Sequence, residues 1–481
     1  MMRTPAAVYA PVAGLACFLL ALFGRCALGA PTMPPTVAQA IAGERIAPAS
    51  VSYVVLDVDS GQIAASSNPG TPRSPASTIK VLTTFAALDS LGPAYTWHTL
   101  ALLQGVLEDG VLQGDLILKG GGDPYMTLER WWSFVQALRA KGLRTLHGDI
   151  VVDDTAFALV PEDPAAFDGR PHQAYNAEPS ALMVNFQSVE FRLTPNPATR
   201  RVDIAATPAP VNLAVDNRIA FMAGPCSGRA ARVAFEVPSA EWDRVEFTGF
   251  LSPQCAARSI SRVLLSAPNY AFGTFVQLWR EAGGVFDGTL RVAAAPPTAI
   301  PFVSFDSVTL AEAVRLTNKF SNNLMARHLL LTLGAERFGA PATVDKGMRA
   351  LSAWSQERGL ALADVEIDNG SGLSRSTRIS VLELAAVLRA AYHSRYAPEF
   401  VASLPLAGVD GTLRSRMQSS QPGSARLKTG HLDGVSGIAG YVTGASGKVY
   451  VVVSLVNDAR VGAGAGDTVH EALVSWAQTA L

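Results

Sequence analysis

The sequence predicts an α+β fold within the broad α/β class: a five-stranded antiparallel sheet with helices on its faces, interrupted by a long β-rich insertion. Three observations predict it. Two strand-like runs stand near the N-terminus and three near the C-terminus. A helix apolar on every side follows the first pair, and the stretch between the two halves is patterned mostly as short strands.

Residues 51–58 alternate around Tyr53, Val55 and Leu56, and Asp59-Ser60-Gly61-Gln62 turns the chain back into 63–65 as a β-hairpin. Ser74-Pro75-Ala76 breaks the chain, and Ser77 opens a helix to about Leu91, stopped by Gly92-Pro93. Ile79, Val81, Leu82, Phe85, Ala86, Leu88 and Leu91 surround its axis, as in a helix buried at the centre of a domain. The segment 93–300 carries strand-like runs at 148–152, 202–205 and 244–250 and is apolar enough to pack, so it reads as an inserted β-rich region of two nested domains. Helical periodicity returns from Ser307, at Leu310, Ala313, Val314 and Leu316 and again over 324–333. Runs at 425–429, 436–442 and 449–456 supply three more strands, and 467–480 a closing helix. Gly462-Ala463-Gly464-Ala465-Gly466 reads as a short flexible loop. The main domain is therefore expected from 31–92 together with 301–481.

Hydrophobic residues make up 49% of the 481 positions and charged ones 16%, enough for at least one large core. A net charge of −1 without any Lys/Arg run argues against nucleic acid as a partner. Arg3, the apolar run 8–23 and the small-residue stretch Ala27-Leu28-Gly29-Ala30 lay out a secretory signal peptide over 1–30, cleaved near Ala30. The run is also about long enough for a membrane anchor. Arg25 speaks against lipidation of Cys26. With Cys17 and Cys26 removed, Cys226 and Cys255 remain; export suggests a disulfide between them, two separate buried thiols being the alternative.

Chemistry concentrates in three short motifs. In Ser77-Thr78-Ile79-Lys80, residues three apart share a helix face, so the Lys80 amine reaches the Ser77 hydroxyl. A serine needs a nearby base, and lysine serves once burial and a second cation lower its pKa. Ser321-Asn322-Asn323, at the start of a helical stretch, sets a hydroxyl two residues from an amide. Lys428-Thr429-Gly430, at the end of a strand-like run, offers a cation and a hydroxyl to a carboxylate, with a glycine for close backbone approach. Each motif alone is weak; their order is the stronger signal. The seven histidines are dispersed without His-Glu-x-x-His spacing, and Gly-x-Ser-x-Gly is absent, so no metal or cofactor is expected.

Ser-x-x-Lys, Ser-x-Asn and Lys-Thr-Gly in this order resemble the motifs of penicillin-recognising serine peptidases and β-lactamases. Gly120-Gly121-Gly122-Asp123-Pro124, residues 148–154, Tyr175-Asn176-Ala177, residues 368–375, Val409-Asp410-Gly411-Thr412-Leu413-Arg414 and Gly434-Val435-Ser436 narrow the resemblance. It is to the D-alanyl-D-alanine carboxypeptidase/endopeptidase family, the class C low-molecular-mass penicillin-binding proteins. More than two hundred positions separate Lys80 from Ser321, matching the domains that the family inserts there. Asn322 stands where many relatives have Asp, and His431 where a small residue is common.

The resemblance implies a penicillin-binding/β-lactamase-like transpeptidase fold and an acyl-serine mechanism on D-Ala-D-Ala termini and D-alanyl cross-links of peptidoglycan. Ser77 would be the nucleophile, Lys80 its base, and Ser321 the proton donor to the leaving amine. Asn323 would hold the substrate amide, Lys428 and Thr429 the terminal carboxylate, and backbone N–H groups of Ser77 and His431 the oxyanion beside Gly430. Implied partners are peptidoglycan stem peptides and, as covalent inhibitors, β-lactams, with the protein exported to the periplasm and not held in a membrane after cleavage. The rival readings are a β-lactamase, against which the long insertion argues, and a penicillin sensor or wall-binding scaffold.

Overall fold

A computed structural model describes residues 33–362, 365–418 and 423–481; the expected signal peptide, with Cys17 and Cys26, lies outside them. Strands β1 (Val51–Asp57), β2 (Ile63–Ser67), β3 (Ala425–Leu432), β4 (Val435–Thr443) and β5 (Val449–Asn457) form one antiparallel sheet in the order β3-β4-β5-β1-β2. The N-terminal hairpin thus completes a C-terminal meander through the ladder from Val51↔Val456 to Asp57↔Tyr450. The helices around this sheet are α1 (Pro35–Gly43), α2 (Lys80–Leu91), α3 (Leu310–Phe320), α4 (Asn323–Phe338), α5 (Val344–Glu357), α6 (Val381–Tyr392), α7 (Ala397–Ser403) and α8 (Ala465–Ala480).

Side-chain alternation divides the core between the two faces. Val51, Tyr53 and Val55 meet α1 and α8, through Val37, Ile41, Val469 and Leu473. Val54 and Leu56 meet α2 and the helices behind it. Residues 80–89 of α2 are all buried, as its all-round apolar pattern predicts, and the Phe85 ring lies 5.4 Å from both Trp354 and Phe400.

Four local expectations are corrected. Ser77 does not open the α-helix; it sits in a 3₁₀ turn, Ala76–Ile79, ahead of α2. The Thr78 N–H and hydroxyl both bond the Pro75 carbonyl, at 3.1 and 2.7 Å, which tightens that turn. Ser321 does not start a helix but closes α3 in the left-handed conformation (φ 56°). Asn322 then caps α4 by accepting from the Met325 N–H, making Asn323 its first residue. Lys428-Thr429-Gly430 lies inside β3, whose pairing continues to Leu432↔Val435. The glycine-alanine run at 462–466 is no loop: a 3₁₀ turn spans Ala459–Ala463 and α8 begins at Ala465.

The insertion leaves and returns through paired strands. His98–Glu108 and Ile300–Asp306 are antiparallel neighbours, from Ile300↔Leu103 to Asp306↔His98, so both ends meet the main sheet's helices at one place. Backbone bonds between Trp97 and Ser307 and from Leu310 to Tyr95 close that join. Beyond it lie a seven-stranded sheet and two smaller ones, with helices Leu128–Ala140 and Ala267–Glu281 packing Trp131, Phe134, Phe275 and Trp279 into a separate core. Cys226 and Cys255 are joined by a disulfide in this region.

Glycines let β3 approach the Ser77 turn. A Cβ on Gly430 would stand 2.7 Å from the Pro75 oxygen and 2.9 Å from the Ser77 nitrogen, and one on Gly437 would press on Leu455 and Thr78. Gly430→Ala is therefore expected to destabilise by about 1–3 kcal/mol through overpacking. Urea unfolding measures it, and a midpoint equal to wild type would show that the turn can recede at no cost.

Candidate active site

Ser77 is half-buried and lines a cleft of about 490 Å³, together with Ser321, Asn323 and His431 from the main domain and Asp168 and Tyr175 from the insertion. The three motifs meet here, although β3 and the turn before α2 lie at opposite ends of the chain.

The Lys80 amine is fully buried and has three partners. Nζ lies 2.8 Å from Ser77 Oγ, 2.7 Å from Asn323 Oδ1, and within hydrogen-bond distance of the Ser371 carbonyl. Two of these can only accept. A neutral amine has two N–H groups and one lone pair, so giving both N–H groups to the carbonyl oxygens leaves the lone pair facing the Ser77 hydroxyl. Burial, reinforced by the charge of Lys428, holds the Lys80 amine well below the ordinary lysine range. The Asn323 amide is oriented for this because its Nδ2 donates to the Tyr175 carbonyl at 3.3 Å. Expected to hold substrate, Asn323 spends both ends on protein partners in this structure.

Lys428 is equally buried, and desolvation pushes its pKa down to about 7. Its Nζ donates to Ser321 Oγ at 2.8 Å and to the Thr429 carbonyl at 2.7 Å. A hydroxyl held by an ammonium can release its own proton and be resupplied from behind. Thr429 Oγ1 donates to Thr412 Oγ1 at 2.8 Å.

The backbone of β3 adds donors. β3 is an edge strand, and the Leu427 N–H points away from β4 to the Pro405 carbonyl. N–H directions alternate along a strand, so the N–H groups of Thr429 and His431 face the same open edge. The His431 side chain is exposed.

Sequence reasoning missed two participants because both act through backbone oxygen. The Ser371 carbonyl is set by Asn369, whose Oδ1 accepts from the Ser371 N–H (3.0 Å) and hydroxyl (2.8 Å). Gly372, with φ 80°, passes where a Cβ would collide with the Ala76 carbonyl. The Asn-Gly-Ser-Gly string was a signal for a tight backbone approach, but not for its target. The Tyr175 carbonyl has no signal beyond its place in Tyr175-Asn176-Ala177.

The D-Ala-D-Ala carboxypeptidase 3 (S13) family matches this chain over residues 35–480. D-alanyl-D-alanine carboxypeptidase DacB of Haemophilus influenzae is 25% identical over 416 residues, 86% of either chain. A D-alanyl-D-alanine carboxypeptidase of Actinomadura sp. (strain R39) is 30% identical over 432 residues, 85% of this chain and 78% of that one. The crystal structure of penicillin binding protein 4 (dacB) from Haemophilus influenzae has the same fold, with a TM-score of 0.77 at 24% identity over 93% of this chain and 100% of that one. A second crystal structure of it, in complex with a β-lactam, has a TM-score of 0.73 at 24% identity over 89% and 96%. Agreement over nearly the whole chain, insertion included, places this protein in the D-Ala-D-Ala carboxypeptidase 3 (S13) family, as a serine-type D-Ala-D-Ala carboxypeptidase and thus a hydrolase.

Proposed function

We propose that the protein is an exported, periplasmic D,D-carboxypeptidase and endopeptidase that trims D-Ala-D-Ala termini and opens D-alanyl cross-links of peptidoglycan, and that β-lactams acylate it at Ser77. The observation that carries the reading is the Lys80 amine, its two N–H groups matched to two carbonyl oxygens and its lone pair to Ser77. Ser77 Oγ attacks the carbonyl between the two D-alanines while its proton passes to Lys80. The outward N–H of His431, with that of Ser77, receives the oxyanion. Ser321 protonates the leaving amine and is resupplied by Lys428. Lys428 and Thr429 hold the terminal carboxylate, whose charge raises the Lys428 pKa on binding. Water then releases the shortened peptide. Asn323 orients Lys80, and its Nδ2 reaches the substrate amide by giving up the long bond to Tyr175. Among the described residues no helix is long and apolar enough to cross a membrane. In this reading residues 31–92 and 301–481 form the peptidase domain and the inserted region forms two nested domains.

Incubation of isolated sacculi with the wild type should remove terminal D-alanine or cross-linked dimers in the muropeptide profile, and Ser77→Ala should do neither. No change with either protein, while penicillin still acylates Ser77, would move the reading to a sensor or scaffold. Lys80→Ala should slow acylation by about 10²–10⁴-fold at neutral pH; near-normal acylation removes Lys80 from the base role.

The pH dependence has a defined sign. Lys80 works neutral and Lys428 charged, so kcat/KM rises as Lys80 loses its proton and falls as Lys428 loses its own, giving a bell whose alkaline limb begins near the Lys428 value of about 7. Lys428→Arg cannot deprotonate in this range and should lose that limb on a lowered plateau. An alkaline limb that survives the substitution belongs to another group.

A further inference from the structure

The segment Val409-Asp410-Gly411-Thr412-Leu413-Arg414 has no role in the mechanism above, yet it is clamped to the active site. Lys319, buried two residues before Ser321, donates from Nζ to Asp410 Oδ2 at 2.7 Å, to Oδ1 at 2.9 Å and to the Leu404 carbonyl at 2.7 Å. Asp410 Oδ1 also accepts from the Leu406 N–H at 2.8 Å. Gly411, with φ 55°, runs so close to α3 that a Cβ would stand 2.6 Å from the Lys319 oxygen. One anchor therefore sets both the end of α3, where Ser321 sits, and the next residue along the strap, Thr412.

Thr412 meets Thr429 hydroxyl to hydroxyl at 2.8 Å. Two hydroxyls joined this way have two protons: one makes the mutual bond and the other is left for a ligand. With Thr429 donating, the free proton belongs to Thr412. With the bond reversed it belongs to Thr429, polarised by Thr412. A terminal carboxylate has two oxygens and accepts only, so it needs more than one donor. Lys428 already gives two of its N–H groups to Ser321 and Thr429, and the residue after Gly430 is His431, without a hydroxyl.

We propose that Thr412 is a specificity-determining residue: its hydroxyl, paired with that of Thr429, reads the free C-terminal carboxylate of the peptide being cleaved. The proposal rests on the peptidase reading above and deepens it. It places the discrimination between a chain end and an internal D-alanyl bond on the Asp410-anchored strap.

The test compares kcat/KM for one D-Ala-D-Ala peptide as its free acid and as its C-terminal amide, in wild type, Thr412→Val and Thr412→Ser. Thr412→Val should lower the acid-over-amide preference by roughly tenfold, the scale of a hydrogen bond to a charged group, chiefly through KM for the acid. Thr412→Ser should restore the preference. An equal fall on both substrates would make Thr412 a structural residue, and an unaltered preference would remove it from carboxylate recognition; either overturns the proposal. Thr412→Ala provides the same comparison should the valine variant fail to fold. Lack of Ser77-dependent turnover of the acid by wild type would instead sink the peptidase reading, and this proposal with it.

Discussion

The rest of this structure depends on one buried amine. Lys80 loses water on all sides, and an ammonium there would need compensation that its two carbonyl partners and one hydroxyl do not fully supply. Held neutral, the same atom is satisfied: two donors meet two acceptors and the lone pair meets Ser77. The oxygens come from residues 243 and 291 positions further along the chain. The fold must therefore bring the start of α4 and the segment after α5 to within 3 Å of the first turn of α2. Asn322 does this for α4 by capping it, and Asn369 does it for the Ser371 carbonyl by folding the backbone around its own amide.

The insertion is part of that arrangement. Its paired entry and exit strands let a long segment join without splitting the main sheet, since both ends emerge at one point. What it contributes reaches the chemistry through Tyr175, whose carbonyl fixes the Asn323 amide and hence the acceptor that Lys80 sees. The α4 helix also touches the insertion through His328, buried against the Gly122 carbonyl, and Arg327, paired with Glu162. The helix that starts with Asn323 is thus gripped along its length by the inserted region, so cleft shape and lysine environment are set together.

Much of this was legible in the sequence, for identifiable reasons. The all-round apolar pattern of α2 could only belong to a central helix, and the strands of the main sheet run nearly continuously apolar because both faces are covered. The chemistry-bearing side chains could be named because each motif carries its residue types at fixed offsets. Three things were hidden. Hydroxyl and amide side chains that cap or tighten turns displace the helix starts, so Ser77 and Ser321 only adjoin the helices that periodicity gives them to. Hydrogen-bond acceptors that are backbone carbonyls, such as those of Ser371 and Tyr175, leave no residue-type signature. Partners such as Asp410 and Lys319, or Thr412 and Thr429, acquire meaning only when β3 and α3 are seen side by side.

The same packing holds strained backbone just before Ser77 and at Ser321. Ala76, just before Ser77, has φ 45°, and Ser321 has φ 56°; each such non-glycine residue costs about 1–3 kcal/mol and persists only when its surroundings over-determine it. The surroundings do so from several directions. Around Ala76, Thr78 holds Pro75 from inside the turn, Gly372 abuts the Ala76 carbonyl, and Gly430 abuts Pro75 from the sheet. Around Ser321, the Asn322 cap begins the next helix on one side while Lys319 is tied to Asp410 and Leu404 on the other. With both turns held in this way, Ser77 Oγ lies 2.8 Å from Lys80 Nζ and Ser321 Oγ 2.8 Å from Lys428 Nζ.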